Sequence, residues 1–298
     1  MPRRFIIYVP SFDENIGGNI ALHRLCDLLN RQGETARLWP YVPRVNPGGP
    51  LKSAMRTLWN WRDSPLDGYR TCEGFQTPIA TAEDLKDAIV VYPEIVNGNP
   101  LRAKHVVRWL LHKPGFHTGT YEFGPRDKFF FYQKAFDIPE LNPDGDNLLR
   151  TVYLRDDIYR QTNFGAREGT CHILRKGKNR PMAHPMEGSI LVDDFSHQQM
   201  AEVFNRVERC ISYDTYTMYS HFAALCGCDS IIVPEEGVSK DQWYPDPADR
   251  FGLAYGFDDV ENARETRPLL LAHLKEQESQ ANSSVGRFVM KCEAYFPQ

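Results

Sequence analysis

The chain has 298 residues, of which 42% are hydrophobic and 25% are charged, and its net charge is −4. This size and composition predict a globular protein with one large or two medium domains and a full core. The slightly acidic balance gives no reason to expect nucleic-acid binding, and every apolar run is shorter than the roughly 20 residues needed to span a bilayer.

The cysteines and the N-terminus indicate a cytoplasmic protein. Seven irregularly spaced cysteines predict buried, reduced thiols rather than a disulfide framework. The apolar run over residues 5–9 follows a basic start but is too short for a signal peptide.

The first 40 residues predict a βαβ unit. Residues 5–9 form a continuous apolar run, which is typical of a buried parallel strand. A polar loop ends in Gly17-Gly18, and apolar residues at helical spacing then predict a helix over residues 19–32. Residues 35–39 predict the second strand. The two glycines either let the backbone approach a substrate closely or form a tight turn with positive φ.

Residues 40–81 lack a regular pattern and predict irregular excursions. A short helix is expected over 81–87, and strands over 88–92, 105–111 and 129–132. Residues 139–146 are rich in turn formers and predict a domain edge. A set of aromatic and arginine residues early in the chain is expected to form either an interfacial patch for a lipid-linked acceptor or part of a folded subdomain: Arg37, Trp39, Tyr41, Arg44, Arg56, Trp59, Trp61 and Arg62.

The second half resumes the alternation of strands and helices. Strands are predicted over 170–174 and 189–192, with a helix over 196–209. A helical pattern over 258–280 is expected to break near Pro268, and a final amphipathic helix follows. Two consecutive α/β halves predict two Rossmann-like domains facing a cleft, with limits at 1–150 and 151–280, and residues 281–298 as a helix crossing back to the first domain.

Residues 210–234 give the strongest functional signal. They predict a strand, a polar loop over 213–217, a helix that begins near Met218 and ends at Gly227, and a second strand over 231–233. Hydroxyls and free N–H groups at a helix N-terminus favour an anion. The segment is therefore either a nucleotide-phosphate site or an ordinary capped αβ unit.

Three stretches carry a resemblance to a known family: Gly17-Gly18-Asn19, Arg175-Lys176-Gly177-Lys178, and residues 213–227. With these, the chain resembles the bacterial GT-B glycosyltransferases, in particular the family-4-like enzymes of surface-polysaccharide assembly. The resemblance implies an N-terminal acceptor domain and a C-terminal nucleotide-sugar domain. It also implies transfer of a sugar from a nucleotide-sugar donor to a glycan or lipid-linked acceptor, without a metal or another cofactor, in the cytoplasm or peripherally at the inner membrane face.

The sequence departs from the family pattern at one position. Where the family has two glutamates separated by seven residues, this chain has Asp214 and, eight residues later, Phe222. An aspartate still accepts from a sugar hydroxyl, but a phenylalanine cannot bind ribose. Either Glu235 or Glu236, after the next predicted strand, takes that role, or the donor binds differently. The alternative for these two glutamates is surface charge.

Donor-binding roles are expected for several residues. Arg175 and Lys176 would neutralise the leaving diphosphate, although basic loop residues are often merely solvated. Thr215, Tyr216 and Thr217 would act through hydroxyls and amides at the helix N-terminus. The full predicted donor set is Gly17, Gly18, Arg175, Lys176, Asp214, Thr215, Tyr216, Thr217, Glu235 and Glu236.

The catalytic base is less well specified by the sequence. Asp13 and Glu14 in the first loop, and His112 and His117 after a predicted strand, are candidates, and Asp13 and His117 are chosen as the catalytic pair. The alternative is that the histidines are structural.

Two other functions remain open. A non-catalytic glycan-binding or scaffold protein would explain the missing second glutamate. A metal-dependent transferase would use Asp144 and Asp146, which otherwise form a surface turn; no metal site is predicted.

Overall fold

A computed structural model of the chain describes residues 3–41, 68–143 and 145–296. The chain divides into two compact units. Unit 1 comprises Met1–Tyr153 and Glu278–Gln298, and unit 2 comprises Leu154–Gln277. The domain limits expected from the sequence, 1–150 and 151–280 with a final helix over 281–298, stay a prediction.

Unit 1 is built on a parallel sheet with one helix between its first two strands. The strands are β1 (Arg4–Val9), β2 (Thr35–Pro40), β3 (Ile89–Pro93), β4 (His105–Leu110) and β5 (Lys128–Phe131). Within the described residues this sheet has five strands in the order β2-β1-β3-β4-β5, all parallel. Helix α1 (Gly17–Arg31) connects β1 to β2.

Alternate side chains of β1 supply two different cores, because successive residues of a strand point to opposite faces. Phe5 and Ile7 pack with the leucines of α1, whereas Ile6 and Tyr8 belong to a second cluster on the other face. The sheet is thus covered on both sides, which explains the continuous apolar run of its first strand.

Unit 2 is built on a second parallel sheet. Its strands are β6 (Thr170–Ile173), β7 (Ser189–Leu191), β8 (Arg209–Ser212), β9 (Asp229–Ile232) and β10 (Leu253–Tyr255). In the part of the chain that the structure describes, the order is β10-β9-β8-β6-β7. Numbered from the first strand of each unit, both sheets read 2-1-3-4-5, which is the doubly wound order of flavodoxin-like folds. The predicted fold class, α/β with two Rossmann-like domains, is confirmed by this pair of sheets. That the two domains form a GT-B pair facing a cleft stays a prediction.

In the described part of unit 2 there are four α-helices, and the first three begin with a side-chain cap. They are α2 (His197–Arg206), α3 (Met218–Leu225), α4 (Lys240–Trp243) and α5 (Val260–Tyr295), the last of which continues into unit 1. At α2, Ser196 Oγ accepts from the Gln199 N–H at 3.3 Å, and the Gln199 side chain accepts from the Ser196 N–H at 3.0 Å. This reciprocal capping box satisfies two N–H groups that the helix leaves free.

The predicted break near Pro268 is wrong, because α5 is continuous through that residue. Pro268 is exposed. The carbonyl of Arg264, which loses its usual N–H donor at position 268, can therefore be solvated without ending the helix.

Only part of the predicted aromatic and arginine patch falls within the described residues. Arg37 pairs with Asp84 at 3.2 Å, and the buried ring of Tyr41 stacks on Tyr8 at 4.3 Å. Residues 44, 56, 59, 61 and 62 lie outside the described residues. Within the described ranges, no helix has both the length and the apolar character that crossing a bilayer requires.

All seven cysteines lie in the described ranges, and no disulfide joins any two of them. Six are buried, as predicted, whereas Cys72 is half-buried. Cys171 and Cys210 face each other across β6 and β8, and burial raises the pKa of Cys226 to about 12.

Candidate functional site

The carboxyl ends of β6 and β8 define the candidate site in unit 2. These neighbouring strands lead to connections that leave in opposite directions, because β7 lies beyond β6 and β9 lies beyond β8. Such a switch point opens a crevice at the carboxyl edge of a doubly wound sheet, where ligands bind. The structure brings the predicted residues 175–176 and 214–217 to this edge, since each segment directly follows one of the two strands.

Arg175 begins the loop after β6 with a constrained backbone. Its φ is 37°, in the left-handed region that non-glycine residues rarely adopt. The carboxylate of Asp193 accepts the N–H of Leu174 at 3.0 Å and that of Arg175 at 2.7 Å. The Arg175 guanidinium lies 4.0 Å from the ring centroid of Tyr219, a cation–π distance. Its charge is thereby held beside the first turn of α3.

The remaining residues of this loop concentrate positive charge at the same edge. Lys176 and Lys178 are exposed, and Arg180 is partly buried. Four cations therefore occur within six consecutive positions, which makes the loop a suitable surface for a phosphate group.

Arg180 is a site residue for which the sequence offered no signal. Its Nη1 donates to the carbonyl of Tyr213 at 2.8 Å and to that of Val233 at 3.0 Å, and its Nη2 donates to the carbonyl of Pro234. These acceptors lie at the carboxyl ends of β8 and β9. Every acceptor of Arg180 in the described part of the chain is a neutral carbonyl. The guanidinium of Arg180 therefore keeps its net positive charge at the sheet edge.

Gly177 lets the basic loop approach the loop after β8. A Cβ added at this buried glycine would overlap the backbone carbonyl of Tyr213 and lie 2.7 Å from the Tyr213 Cβ. Real Cβ atoms do not approach backbone so closely. The contact between the two loops therefore requires glycine at this position.

The loop after β8 is ordered by its own polar groups. The buried Asp214 accepts the N–H of Tyr216 through Oδ1 at 3.2 Å, which forms an Asx turn. Trp243 donates its Nε1–H to the carbonyl of Thr215 at 2.7 Å. These bonds fix the loop that leads into α3.

Thr217 is the N-cap of α3, as the sequence predicted. Its Oγ1 accepts from the Tyr219 N–H at 3.3 Å. The first turn of this helix contains no acidic residue. The positive end of the helix is thus not neutralised from within, which favours an anion at this position.

The position at which the family pattern has its second acidic residue lies in the core. Phe222 is buried, and its ring stacks on that of Tyr159 with the centroids 4.1 Å apart. This side chain packs within unit 2 and leaves any contact with ribose to other groups.

Glu235 lies next to Tyr216, beyond the end of β9. The pKa of Tyr216 is raised to about 12, mainly because the side chain is buried and secondly because Glu235 is negatively charged. Glu235 is half-buried, and its N–H donates to Tyr255 Oη at 3.2 Å, whereas Glu236 is exposed. The carboxylate of Glu235 and the phenol of Tyr216, both at this edge of the sheet, can bind the hydroxyls of a sugar.

A hydrogen-bonded chain of side chains supports the loop after β8. The hydroxyl of Tyr213 accepts the Ala183 N–H at 2.8 Å and lies 2.7 Å from Nδ1 of His184. Nε2 of His184 lies 3.2 Å from Oγ of Ser189, which is 2.8 Å from Nδ1 of His172. Burial lowers the pKa of both histidines, so both are neutral at pH 7. All partners are satisfied when Tyr213 donates to His184, His184 to Ser189, and Ser189 to His172.

Four predicted residues lie in unit 1, at the carboxyl edge of its own sheet. Asp13 is in the loop after β1, where its Oδ1 accepts the Asn15 N–H at 2.8 Å. His117 is exposed in the loop after β4, with its ring 5.4 Å from that of His112. Because parallel strands end at one edge, both loops leave from the same side of this sheet.

Gly17 and Gly18 do not form the predicted turn before the helix but are its first two residues. Neither has a positive φ, so the tight-turn interpretation is wrong. Among the residues that the structure describes, a Cβ at Gly17 would have no neighbour within 4 Å, and one at Gly18 would meet only Leu111, at 3.6 Å. Ile16 provides no side-chain cap, so no cap from its own N-cap residue satisfies the first N–H groups of the helix. The close-approach role stays a prediction.

His23 on α1 is a titratable group that the sequence analysis missed. It is fully buried, and its Nε2 donates to the carbonyl of Pro10 at 3.1 Å. Burial lowers its pKa to about 4, so the ring is neutral at pH 7. Its position between the apolar residues Leu22 and Leu25 of the helix gave the pattern of a core residue.

The Asp-x-Asp sequence is only partly described. Asp144 lies outside the described residues, and Asp146 pairs with Lys291 at 3.3 Å. Among residues 3–41, 68–143 and 145–296, no group of three or more His, Cys, Asp or Glu side chains is arranged to hold a metal ion.

Comparison with known proteins gives neighbours in structure alone. No family model and no curated protein matches the sequence. The glycotransferase of kitacinnamycin is 10% identical, covers 100% of both chains and gives a TM-score of 0.41. The calicheamicin glycosyltransferase CalG4 is 12% identical over 99% of this chain and 98% of its own, with a TM-score of 0.38.

The glycosyltransferase SnogD from Streptomyces nogalater is 10% identical over 97% of this chain and 99% of its own, with a TM-score of 0.42. These neighbours are glycosyltransferases by name. At such identities and TM-scores the likeness carries no argument about substrate or reaction.

Proposed function

We propose that this chain is a glycosyltransferase that takes its sugar from a nucleotide-sugar donor. The observation that carries the proposal is the meeting of two elements at the switch point of unit 2. A loop with four cations follows β6, and the polar N-terminus of α3 follows β8. A diphosphate bound at this edge would contact both.

The proposed roles follow from charge and reach. Lys176 and the edge of the Arg175 guanidinium stabilise the diphosphate as the bond to the anomeric carbon breaks, and the amides after Thr217 bind its oxygens. Asp214 and Glu235 accept from sugar hydroxyls. Because protein cations neutralise the leaving group, the proposed reaction needs no metal.

The acceptor is assigned to unit 1. Asp13 or His117 removes the proton of the attacking hydroxyl, and the N-terminus of α1 at Gly17 and Gly18 binds the substrate. The resemblance supports a family-4-like enzyme of surface-polysaccharide assembly, acting on a glycan or lipid-linked acceptor from the cytoplasm, with peripheral membrane contact.

Calorimetric titration of the full chain with UDP, GDP, CMP and dTDP tests the donor site. We expect one of the four to bind. Lys176→Ala should weaken that binding by about 10-fold or more, since a hydrogen bond to a charged group contributes about 1.5–3 kcal/mol. Lys86→Ala, at an exposed lysine of unit 1, is the matched control and should bind as the unchanged chain does. No binding of any of the four at millimolar concentration would contradict the proposal.

Turnover tests the assignment of the base. Release of the free nucleotide from the matching nucleotide sugar is measured with Asp13→Asn and His117→Gln. It should fall by orders of magnitude when the catalytic base is replaced, while donor affinity is retained. Unchanged turnover in both variants would remove both residues from the reaction.

A second function, a non-catalytic glycan-binding or scaffold protein, is favoured by the burial of Phe222 where the family pattern has an acid. Such a protein would bind glycans but would release no free nucleotide from any nucleotide sugar. Transfer in the assay above, abolished by Asp214→Ala, would exclude it.

A further inference from the structure

A second pocket lies in unit 2, at the other end of α3 from Thr217. Its volume is about 630 Å³, within the usual range of small-molecule sites. Leu225, the last residue of α3, lines it together with residues 156–161 and one face of α5. Asp229, which lies behind the pocket, is the first residue of β9. The pocket is therefore at the amino edge of the sheet and is separate from the candidate donor site.

The α5 wall of the pocket carries two arginines in fixed positions. Arg264 and Arg267 are one turn apart on the same helix face. Arg264 contacts both oxygens of Asp229, at 2.5 to 3.1 Å, and Arg267 Nη2 contacts the same carboxylate at 2.6 Å. Because the Asp229 side chain is only 6% exposed, it fixes both guanidinium groups before a ligand binds.

The pocket has an excess of positive charge. Arg264 and Arg267 share one buried carboxylate, and no carboxylate in the described part of the chain pairs with the exposed guanidinium of Arg160. Asp156, the acidic residue of the lining, is paired with Lys275 at 3.0 Å. Glu261 also contacts Arg264 but is 80% exposed, so solvent screens its charge.

The negative end of α3 does not cancel this charge. Arg167 donates to the carbonyl of Cys226 at 2.5 Å, and Arg267 Nη1 donates to that of Gly227 at 2.8 Å. The carbonyls that carry the negative end of the helix dipole are thus already bonded to guanidinium groups.

Apart from Tyr159 and the amide of Gln161, the rest of the lining is apolar. Leu225, Pro268 and Leu271 surround the pocket, and Leu271 is 39% exposed. A ligand that fits has an anionic head, bound by arginine, and an aliphatic portion that covers these side chains.

We propose that this pocket binds a phosphate monoester that carries an aliphatic chain. The planar fork of Arg160 matches two phosphate oxygens. Arg264 and Arg267 share the single buried carboxylate of Asp229, and the positive charge left over on this pair attracts the second negative charge of the head group. Burial of the chain on Leu225, Pro268 and Leu271 adds the hydrophobic contribution.

Calorimetric titration of the full chain with n-hexyl phosphate tests the proposal, with inorganic phosphate and hexanol as partial ligands. We expect saturable binding of hexyl phosphate and binding of each partial ligand at least 10-fold weaker. Arg160→Gln should weaken hexyl phosphate binding about 10-fold, since it removes one charge-assisted contact of an exposed side chain. Arg126→Gln, at an exposed arginine of unit 1, should have no effect.

A second variant tests whether hexyl phosphate binds at the donor site instead of this pocket. Lys176→Ala should bind hexyl phosphate as the unchanged chain does, whichever nucleotide the donor site takes. The proposal is overturned if hexyl phosphate does not bind, if Arg160→Gln leaves its affinity unchanged, if Lys176→Ala abolishes it, or if inorganic phosphate binds equally well.

Vesicle sedimentation identifies the source of the phosphate ester. Binding to vesicles containing phosphatidic acid but not to pure phosphatidylcholine, lost in Arg160→Gln, assigns a lipid head group. Binding of hexyl phosphate without vesicle binding assigns a free phosphate ester. Each result supports the same pocket chemistry.

Discussion

Replacing Gly177 by alanine should separate the two loops of the candidate donor site. The new Cβ would overlap the Tyr213 carbonyl and come within 2.7 Å of its Cβ, and backbone cannot move aside as a flexible side chain can. Overpacking of this kind costs about 1–3 kcal/mol. We take about 2 kcal/mol, which corresponds to a fall in Tm of roughly 3 °C for a chain of 298 residues. Because Arg180 bonds the same Tyr213 carbonyl, the displacement should also weaken nucleotide binding.

Gly286→Ala is the matched control for this substitution. Gly286 lies inside α5, where the one described atom within 4 Å of an added Cβ would be the Gln32 side-chain oxygen, at 3.8 Å. Alanine should therefore raise the stability by about 0.5–1 kcal/mol. Thermal unfolding followed by circular dichroism, together with calorimetric nucleotide titration, measures both effects. A Gly177→Ala chain that melts and binds like the unchanged chain would refute the close approach of the loops.

Three further outcomes are expected. The pKa of His23 is about 4 in the folded chain against 6.5 when unfolded, so the unfolded state binds more protons between these values. The free energy of unfolding should therefore fall by about 3 kcal/mol as the pH drops from 6.5 to 4. Urea denaturation at pH 7, 5.5 and 4.5 should show that the stability of His23→Gln depends less on pH than that of the unchanged chain, and an equal pH dependence would contradict the assignment. Asp229→Asn should lower the free energy of unfolding by about 3 kcal/mol, because it leaves two arginines without their buried carboxylate. Its control, Asp241→Asn, at a side chain 85% exposed, should change that free energy by less than about 0.5 kcal/mol. Equal losses of the two variants in urea denaturation would argue against the buried ion pair. Glu235→Gln should weaken binding of the nucleotide sugar about 10-fold without changing the Tm, and an unchanged affinity would remove Glu235 from the site.

Much of the fold could be predicted because strands and helices leave periodic patterns. The runs around Phe5 and Ile89 are long enough to identify buried strands, and the polar stretch before Met218 identified a helix N-terminus. Strand β10 has only three residues and lies between two glycines, Gly252 and Gly256, so the sequence there has the character of a turn and the strand was not predicted. The helix through Pro268 was missed because an exposed proline does not end a helix that packs along its other face.

The site was predictable only where one segment contains all of its parts. Lys176 and Thr217 stand in local patterns that a reader of the sequence can recognise. Arg180 bonds carbonyls 33 and 54 positions away, and His184 reaches Tyr213 across 29 positions. Such contacts depend on strand order, which local composition does not encode. Phe222 could be recognised as a departure from the family pattern, but its stacking on Tyr159 could not.

The uneven exposure of the thiols makes the native chain suited to single-site chemical labelling. Six thiols are enclosed by the two cores, and Cys72 is the one that solvent reaches. A maleimide dye should therefore attach once, at Cys72, without any engineered mutation. Its emission would report on the first unit while ligands are added to the second.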